Sequence, residues 1–153
     1  MFNVIRTNSE NPDFIRLVKL LDSDLAERDG ADHAFYAQFN SIDKLKHTVV
    51  IYANDTPVAC GAIKEFKTTK TEVKRMFTLP SHRGQGLATI VLKALEEWAL
   101  ELGYDYTVLE TGKRQPEAIA LYTKNKYIIT PNYGQYIGIE NSVCFEKQLN
   151  KIH

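Results

Sequence analysis

The stretch from Thr71 to Ala88 constrains this chain more than any other. Thr71-Glu72-Val73-Lys74-Arg75-Met76-Phe77-Thr78 reads as a strand and stops at Leu79-Pro80, and Arg83-Gly84-Gln85-Gly86-Leu87-Ala88 follows. Beyond that turn, Leu87, Ile90, Val91, Ala94, Leu95, Trp98 and Leu102 recur at helical spacing, and Gly103 stands where a helix C-cap is expected. A strand that feeds a glycine-rich turn and then a helix aims several unpaired N–H groups, and the positive end of the helix dipole, at one point. An anion is the natural occupant, most often a phosphate or pyrophosphate. The glycines serve this because a side chain would hold the backbone away from the ligand.

Two familiar phosphate loops are tested by their own requirements. A P-loop ends in Gly-Lys-Ser/Thr, and Gly86-Leu87-Ala88 offers neither the lysine nor the hydroxyl. A dinucleotide fingerprint needs a small third residue where Thr89 stands, and it belongs to the first βα turn of its domain. Asp105 lies at the distance of a ribose-binding acid but opens its strand instead of closing it, and 153 residues are few for two mononucleotide-binding halves. The dinucleotide reading stays only as a rival.

Around this centre the chain reads as one domain. Val4–Thr7 is a short strand, and Pro12 opens a helix with Phe14, Leu17, Val18, Leu21 and Leu25 on one face. Gly30 breaks it, and a second helix is expected over Ala34–Phe39. The runs 48–53 and 58–63 flank Asn54-Asp55-Thr56-Pro57, a hairpin signal. After the long helix come a strand at 106–110, a helix opened by Pro116, and closing strands at 127–129 and 142–146. Antiparallel pairs followed by two βα units predict an α/β fold, a mixed and mostly antiparallel sheet of about seven strands with helices on both faces.

One strand breaks the pattern. Regular alternation through 71–78 groups Val73, Arg75 and Phe77 on one face, which mixes a cation into an apolar row. If Val73 and Met76 instead share the core face, the strand must carry an extra residue, a β-bulge near Arg75.

Composition excludes several function classes. Nineteen basic and nineteen acidic residues cancel, and no basic tail stands out, so neither nucleic-acid nor membrane-surface binding is expected. Met1–Arg6 lacks the apolar core of a signal peptide, and no run reaches transmembrane length. Cys60 and Cys144 sit in apolar strands and read as small buried hydrophobes, which fits a reducing cytoplasm. His33, His47, His82 and His153 are scattered without ligand spacing, and no metal is expected.

The spacing Arg83-x-x-Gly86-x-Ala88 is similar to the Arg/Gln-x-x-Gly-x-Gly/Ala signature of the GCN5-related N-acetyltransferase (GNAT) family. Residues 72–78 look like that family's central strand, and Glu117–Tyr127 resembles its Asn-x-x-Ala-x-x-Leu-Tyr-x-Lys-x-Gly-Phe segment. The resemblance is specific over 71–127 and architectural elsewhere. Two departures stand out: Pro116 or Glu117 lies near the family's asparagine, and Lys126-Tyr127 replaces Gly-Phe. The resemblance implies a bulged central strand splayed from its neighbour, and acetyl-coenzyme A as co-substrate. It implies cofactor contacts from Met76, Phe77, Thr78, Arg83, Gly84, Gln85, Gly86, Leu87 and Ala88.

Acetyl transfer from a thioester to an amine sets its own requirements. An alkylammonium with a pKa of about 10.4 costs about 4–5 kcal/mol to deprotonate at neutral pH, so a base is useful. Glu72 stands where the resemblance places a carboxylate base, with Glu110 as its substitute. A main-chain N–H freed at the bulge, at Met76 or Phe77, would meet the developing oxyanion, and Tyr122 would protonate the departing thiolate. Neither cysteine occupies a nucleophile's position, which favours direct attack. The acceptor is read as a small polar amine, since Tyr133, Gln135 and Tyr136 in the 129–141 loop are polar-aromatic, and the enzyme as a monomer or homodimer. A coenzyme A sensor without catalysis is the competing class.

Overall fold

The computed structural model describes residues 1–29 and 44–149. The expected helix break at Gly30, the helix over Ala34–Phe39, and His33 and His153 lie outside the described residues. The elements run β1 (Phe2–Thr7), α1 (Pro12–Asp29), β2 (His47–Ala53), β3 (Thr56–Lys67), β4 (Lys70–Thr78), α2 (Leu87–Glu101), β5 (Tyr106–Gly112), α3 (Pro116–Lys124), β6 (Ile128–Thr130) and β7 (Ser142–Gln148). Among the described residues, no helix is long and apolar enough to cross a membrane.

The strands form one sheet in the order β1-β2-β3-β4-β5-β7-β6. Every neighbouring pair is antiparallel except β4 and β5, which α2 joins as a crossover. This is the mixed sheet that the sequence pattern predicts. β3 is longer than its apolar run, because Lys64–Lys67 continue its pairing with β4 after the hydrophobic residues end.

Helices cover both faces. Val49 and Ile51 pack with Leu87, Val91 and Leu95 of α2, while Val50, Cys60 and Ala62 pack with Phe14, Leu17 and Val18 of α1. That accounts for an unbroken apolar run in β2, since both sides of it are buried. α1 begins with a side-chain cap: Asn11 Oδ1 accepts the N–H groups of Asp13 at 2.8 Å and Phe14 at 3.1 Å, with Pro12 in the first turn. α2 begins differently, at Gly86 in the left-handed region (φ 77°) with no side-chain cap. Its end is as expected, with Gly103 at φ 97°.

Candidate active site

The irregularity in β4 is a bulge. Ala62 pairs with Lys74 and Cys60 with Phe77, so Arg75 and Met76 together stand opposite Gly61. Arg75 adopts φ 62°, uncommon for a residue with a side chain. Its buried side chain donates from Nη1 to Asp22 Oδ1 on α1 at 3.0 Å, which pins the bulge to that helix. Gly61 makes room for the bulge. A Cβ there would come within 2.6 Å of Met76 Sδ and 2.7 Å of Val91 Cγ1. Val73 and Met76 do pack against the same core, but only Val73 is buried. Met76 is partly buried, because the bulge carries it to the edge of an opening.

That opening is a break in the sheet. β4 pairs with β5 at Lys70–Tyr106, Thr71–Thr107 and Glu72–Val108 and then leaves it, while β5 stays paired with β7 through Gly112. Two cavities occupy the gap. The larger, about 420 Å³, lies among the end of β4, the start of α2 and α3. Met76, Phe77, Thr78, Arg83, Gly84, Gly86, Leu87 and Ala88 line it. Gln85, between the two glycines, is exposed and does not line this cavity. The smaller, about 100 Å³, takes Glu72, Lys74, Arg75, Glu110, Thr111 and Tyr136 into its walls. Leu21, Met76, Gln115 and Tyr122 line both, so the cavities meet at the bulge.

The larger cavity suits an anion at its outer end. Gly84 and Gly86 have φ of 81° and 77°, and nothing lies within 4 Å of where their Cβ atoms would be. The first turn of α2 carries no acidic residue and no side-chain cap, which leaves its N–H groups and dipole available. Arg83 is folded back on β4, with Nε donating to Thr78 O at 3.0 Å and its guanidinium 5.7 Å from the Phe77 ring centre. α3 is tied to the start of α2 by Asn125, whose Nδ2 donates to Leu121 O at 2.9 Å and Thr89 Oγ1 at 3.3 Å.

At the junction, Tyr122 is buried against Tyr127 and Phe145, with ring centres 5.8 Å from each. Burial, and then the charge of Glu110, push its phenol well above the ordinary value, so it stays protonated and able to donate. Glu72 is buried, accepts the Tyr133 hydroxyl on Oε2 at 2.7 Å, and has Lys74 Nζ 3.8 Å from Oε1. Burial lowers the pKa of Lys74, against the opposing pull of Glu72. The two free cysteines are buried, and burial raises the thiols of Cys60 and Cys144 to about 12 and about 11, far from a nucleophile's range.

Several lining residues escaped the sequence reading. Gln115 is the N-cap of α3 and faces both cavities. Counting three residues back from Ala118 places it at the first position of Asn-x-x-Ala, so the register of the motif held the signal, and Pro116 and Glu117 were the wrong positions for it. Lys124 also lines the larger cavity, although its place on a helix face reads as solvated. Lys74, two residues beyond Glu72 on β4, lines the smaller cavity and is not singled out by the sequence; Tyr133 is marked by its polar-aromatic loop, but its bond to Glu72 has no local signal.

The described arrangement has known counterparts. The Acetyltransferase (GNAT) family pattern matches residues 14–127. The IAA acetyltransferase of Azospirillum brasilense is 35% identical over 102 residues, 66% of this chain and 67% of that protein. The uncharacterised N-acetyltransferase YsnE of Bacillus subtilis (strain 168) is 34% identical over 100 residues, 64% of this chain and 66% of that protein. In both cases the chain spans about two thirds of the relative's length. A crystal structure from Klebsiella pneumoniae, described as an acyl-CoA N-acyltransferase, superposes with a TM-score of 0.82 at 30% identity, covering 98% of this chain and 99% of that one. The PaiA N-acetyltransferase of Thermoplasma acidophilum, in complex with coenzyme A, shares the fold with a TM-score of 0.72 at 14% identity, covering 97% and 99%. The chain belongs to the GNAT family of acetyltransferases and is an acyltransferase of the acetyl-coenzyme A-dependent class.

Proposed function

We propose that this enzyme moves the acetyl group of acetyl-coenzyme A to the primary amine of a small polar acceptor, by direct attack in a ternary complex. The observation that carries this reading is the meeting of the two cavities at Met76 and Tyr122, where β4 leaves β5. The larger cavity fits the cofactor: open glycines and the uncapped start of α2 for the pyrophosphate, and the unpaired edge of β4 for the arm. The smaller fits the acceptor, with two carboxylates to attract an ammonium and little volume for anything long.

The cofactor supplies an acetyl thioester; the chain's own groups do the rest. Glu72 takes the ammonium proton, with Glu110 in the same wall as its substitute. A main-chain N–H at Met76 or Phe77 stabilises charge on the carbonyl oxygen, a contribution of about 3–4 kcal/mol. Tyr122 holds a proton for the thiolate, and a sulfur with a pKa of about 8.5 needs no stronger acid. The high thiol values of Cys60 and Cys144 support attack without an acyl-cysteine intermediate. Two buried free cysteines also support a reducing, cytoplasmic setting.

Thiol release from acetyl-coenzyme A across a library of small primary amines tests the reading. Tyr122→Phe should keep its coenzyme A affinity by calorimetry while turnover falls about 10–1,000-fold. Tight coenzyme A binding with no release for any amine would make the chain a sensor instead of a catalyst.

A further inference from the structure

Glu72 is held from outside its own strand. The connection between β6 and β7 runs back over the open end of the sheet and brings Tyr133 against β3 and β4. Its ring lies 4.7 Å from Phe66 and 5.8 Å from Tyr136, centre to centre, and its hydroxyl donates to Glu72 Oε2 at 2.7 Å. Oε1 accepts no hydrogen bond among the described residues; Lys74 Nζ, at 3.8 Å, is close enough to attract it but too far to bond. The carboxylate is therefore hydrogen-bonded through Oε2, while Oε1 has only the longer ion pair to Lys74, in the wall of the smaller cavity.

We infer that Tyr133 is a positioning residue, holding Glu72 so that Oε1 is presented to the acceptor amine. This rests on the reading of Glu72 as the base. A hydroxyl bound to a carboxylate forms a short, charge-assisted bond, and it selects one rotamer of a side chain with three free torsions. Burial, then the charge of Glu72, carry the Tyr133 phenol far above its ordinary value, so it donates across the whole working range of pH. The same loop places Tyr136 in the wall of the smaller cavity. One segment thus shapes the acceptor's pocket and aligns the group that activates the acceptor.

Other titratable groups also stand near Glu72: Lys74 on its own strand, Lys64 opposite it on β3, Arg75 and Glu110 in the same cavity wall, and the neutral side chains of Tyr136 and Cys144. A test must remove the Tyr133 hydroxyl and leave these in place. Tyr133→Phe does so, because the ring can keep its seat on Phe66. With small primary amines as probes, Tyr133→Phe should lower kcat by about tenfold or more while the KM for acetyl-coenzyme A stays unchanged. The acidic limb of its rate–pH profile should move up by about one pH unit, because a hydrogen bond to the ionised form is gone. Carbon-13 NMR of glutamate carboxyls, with the Glu72 signal identified by its loss in Glu72→Gln, should show the same displacement with no acceptor present. Phe66→Leu loosens the ring's seat but keeps the hydroxyl, and should move neither midpoint. An unshifted Glu72 signal and native kcat in Tyr133→Phe would overturn the inference. If Glu72→Gln itself retains full rate and an intact acidic limb, the assignment of the base fails instead, whatever Tyr133→Phe does.

Discussion

β2 and β3 stay paired from His47–Ile63 to Ala53–Thr56, across one register shift between Ile51 and Tyr52, whereas β4 and β5 part after Glu72–Val108. Along the first junction the side chains are mostly apolar, with Thr48 a buried exception, and helices close over both faces; Val49, Val50 and Ile51 have no exposed surface. Along the second the wall includes four charged residues, Glu72, Lys74, Arg75 and Glu110. The contrast shows what a ladder does for a sheet and what its loss permits. Where the strands stay paired, the interior can be largely apolar. Where pairing stops inside the molecule, unpaired main-chain groups need another partner, and buried charge becomes tolerable because the same gap admits ligand and water.

The contrast can be broken from either side. The largest effect is expected for Leu95→Ala, which empties a fully buried site behind β3. It should cost about 2–5 kcal/mol in a denaturant titration and leave coenzyme A affinity almost unchanged in the folded fraction. A comparable loss of affinity would mean that the laddered half also shapes the cleft. Gly86→Glu is the converse. It puts a negative side chain at the uncapped start of α2, where there is space for it but where φ is 77°. Calorimetry should report coenzyme A binding weakened about a hundredfold or more, near 3 kcal/mol, with a much smaller change in Tm. Unchanged affinity in a folded variant would move the phosphate site elsewhere.

The smallest effect sharpens the laddered side. His47 opens β2 edge-on to Trp98, 4.8 Å between ring centres, and burial, with a lesser push from Lys46, lowers its pKa. The unfolded chain then takes up a proton near pH 6.5 that the folded chain resists. Its contribution to stability is full above that pH and is lost as pH falls toward the depressed folded value. Between pH 7 and pH 5 the native Tm should therefore fall by about 1–3 °C more than that of His47→Phe, which keeps a ring on Trp98. Equal slopes would remove His47 from the account.

Most of the laddered half was legible in the sequence, because its apolar runs, its Asn54 turn and the Gly103 helix end are local signals of local geometry. The glycines ahead of α2 were legible for the same reason. The bulge was legible by contradiction: regular alternation groups Val73 with Arg75, whereas in the structure Val73 packs toward α2 and Arg75 and Phe77 turn toward α1. What the sequence did not mark is what depends on long-range closure. Tyr133 meets Glu72 only because the β6–β7 connection folds back to β3 and β4, and nothing near Tyr133 encodes that return. Met76 was expected to be buried on pattern alone, but its burial depends on where the neighbouring strand ends. Gln85 reads as part of the turn, yet in a turn built around two glycines at positive φ the residue between them faces outward.

Gly61 never reaches the cavity, yet it governs how far Met76 projects into it. The two are separated by less than the width of a methyl group, and Val91 and Leu95 close the space behind. Adding even one carbon at position 61 has few ways out other than driving the methionine forward, into the place where the two cavities join. The reach of the site is thus adjustable from the back of the sheet, as a lens is focused by a screw outside the light path. Selection for altered acyl or amine tolerance could act on a strand residue invisible to any list of lining side chains, and an engineer who varied only the cavity wall would miss it.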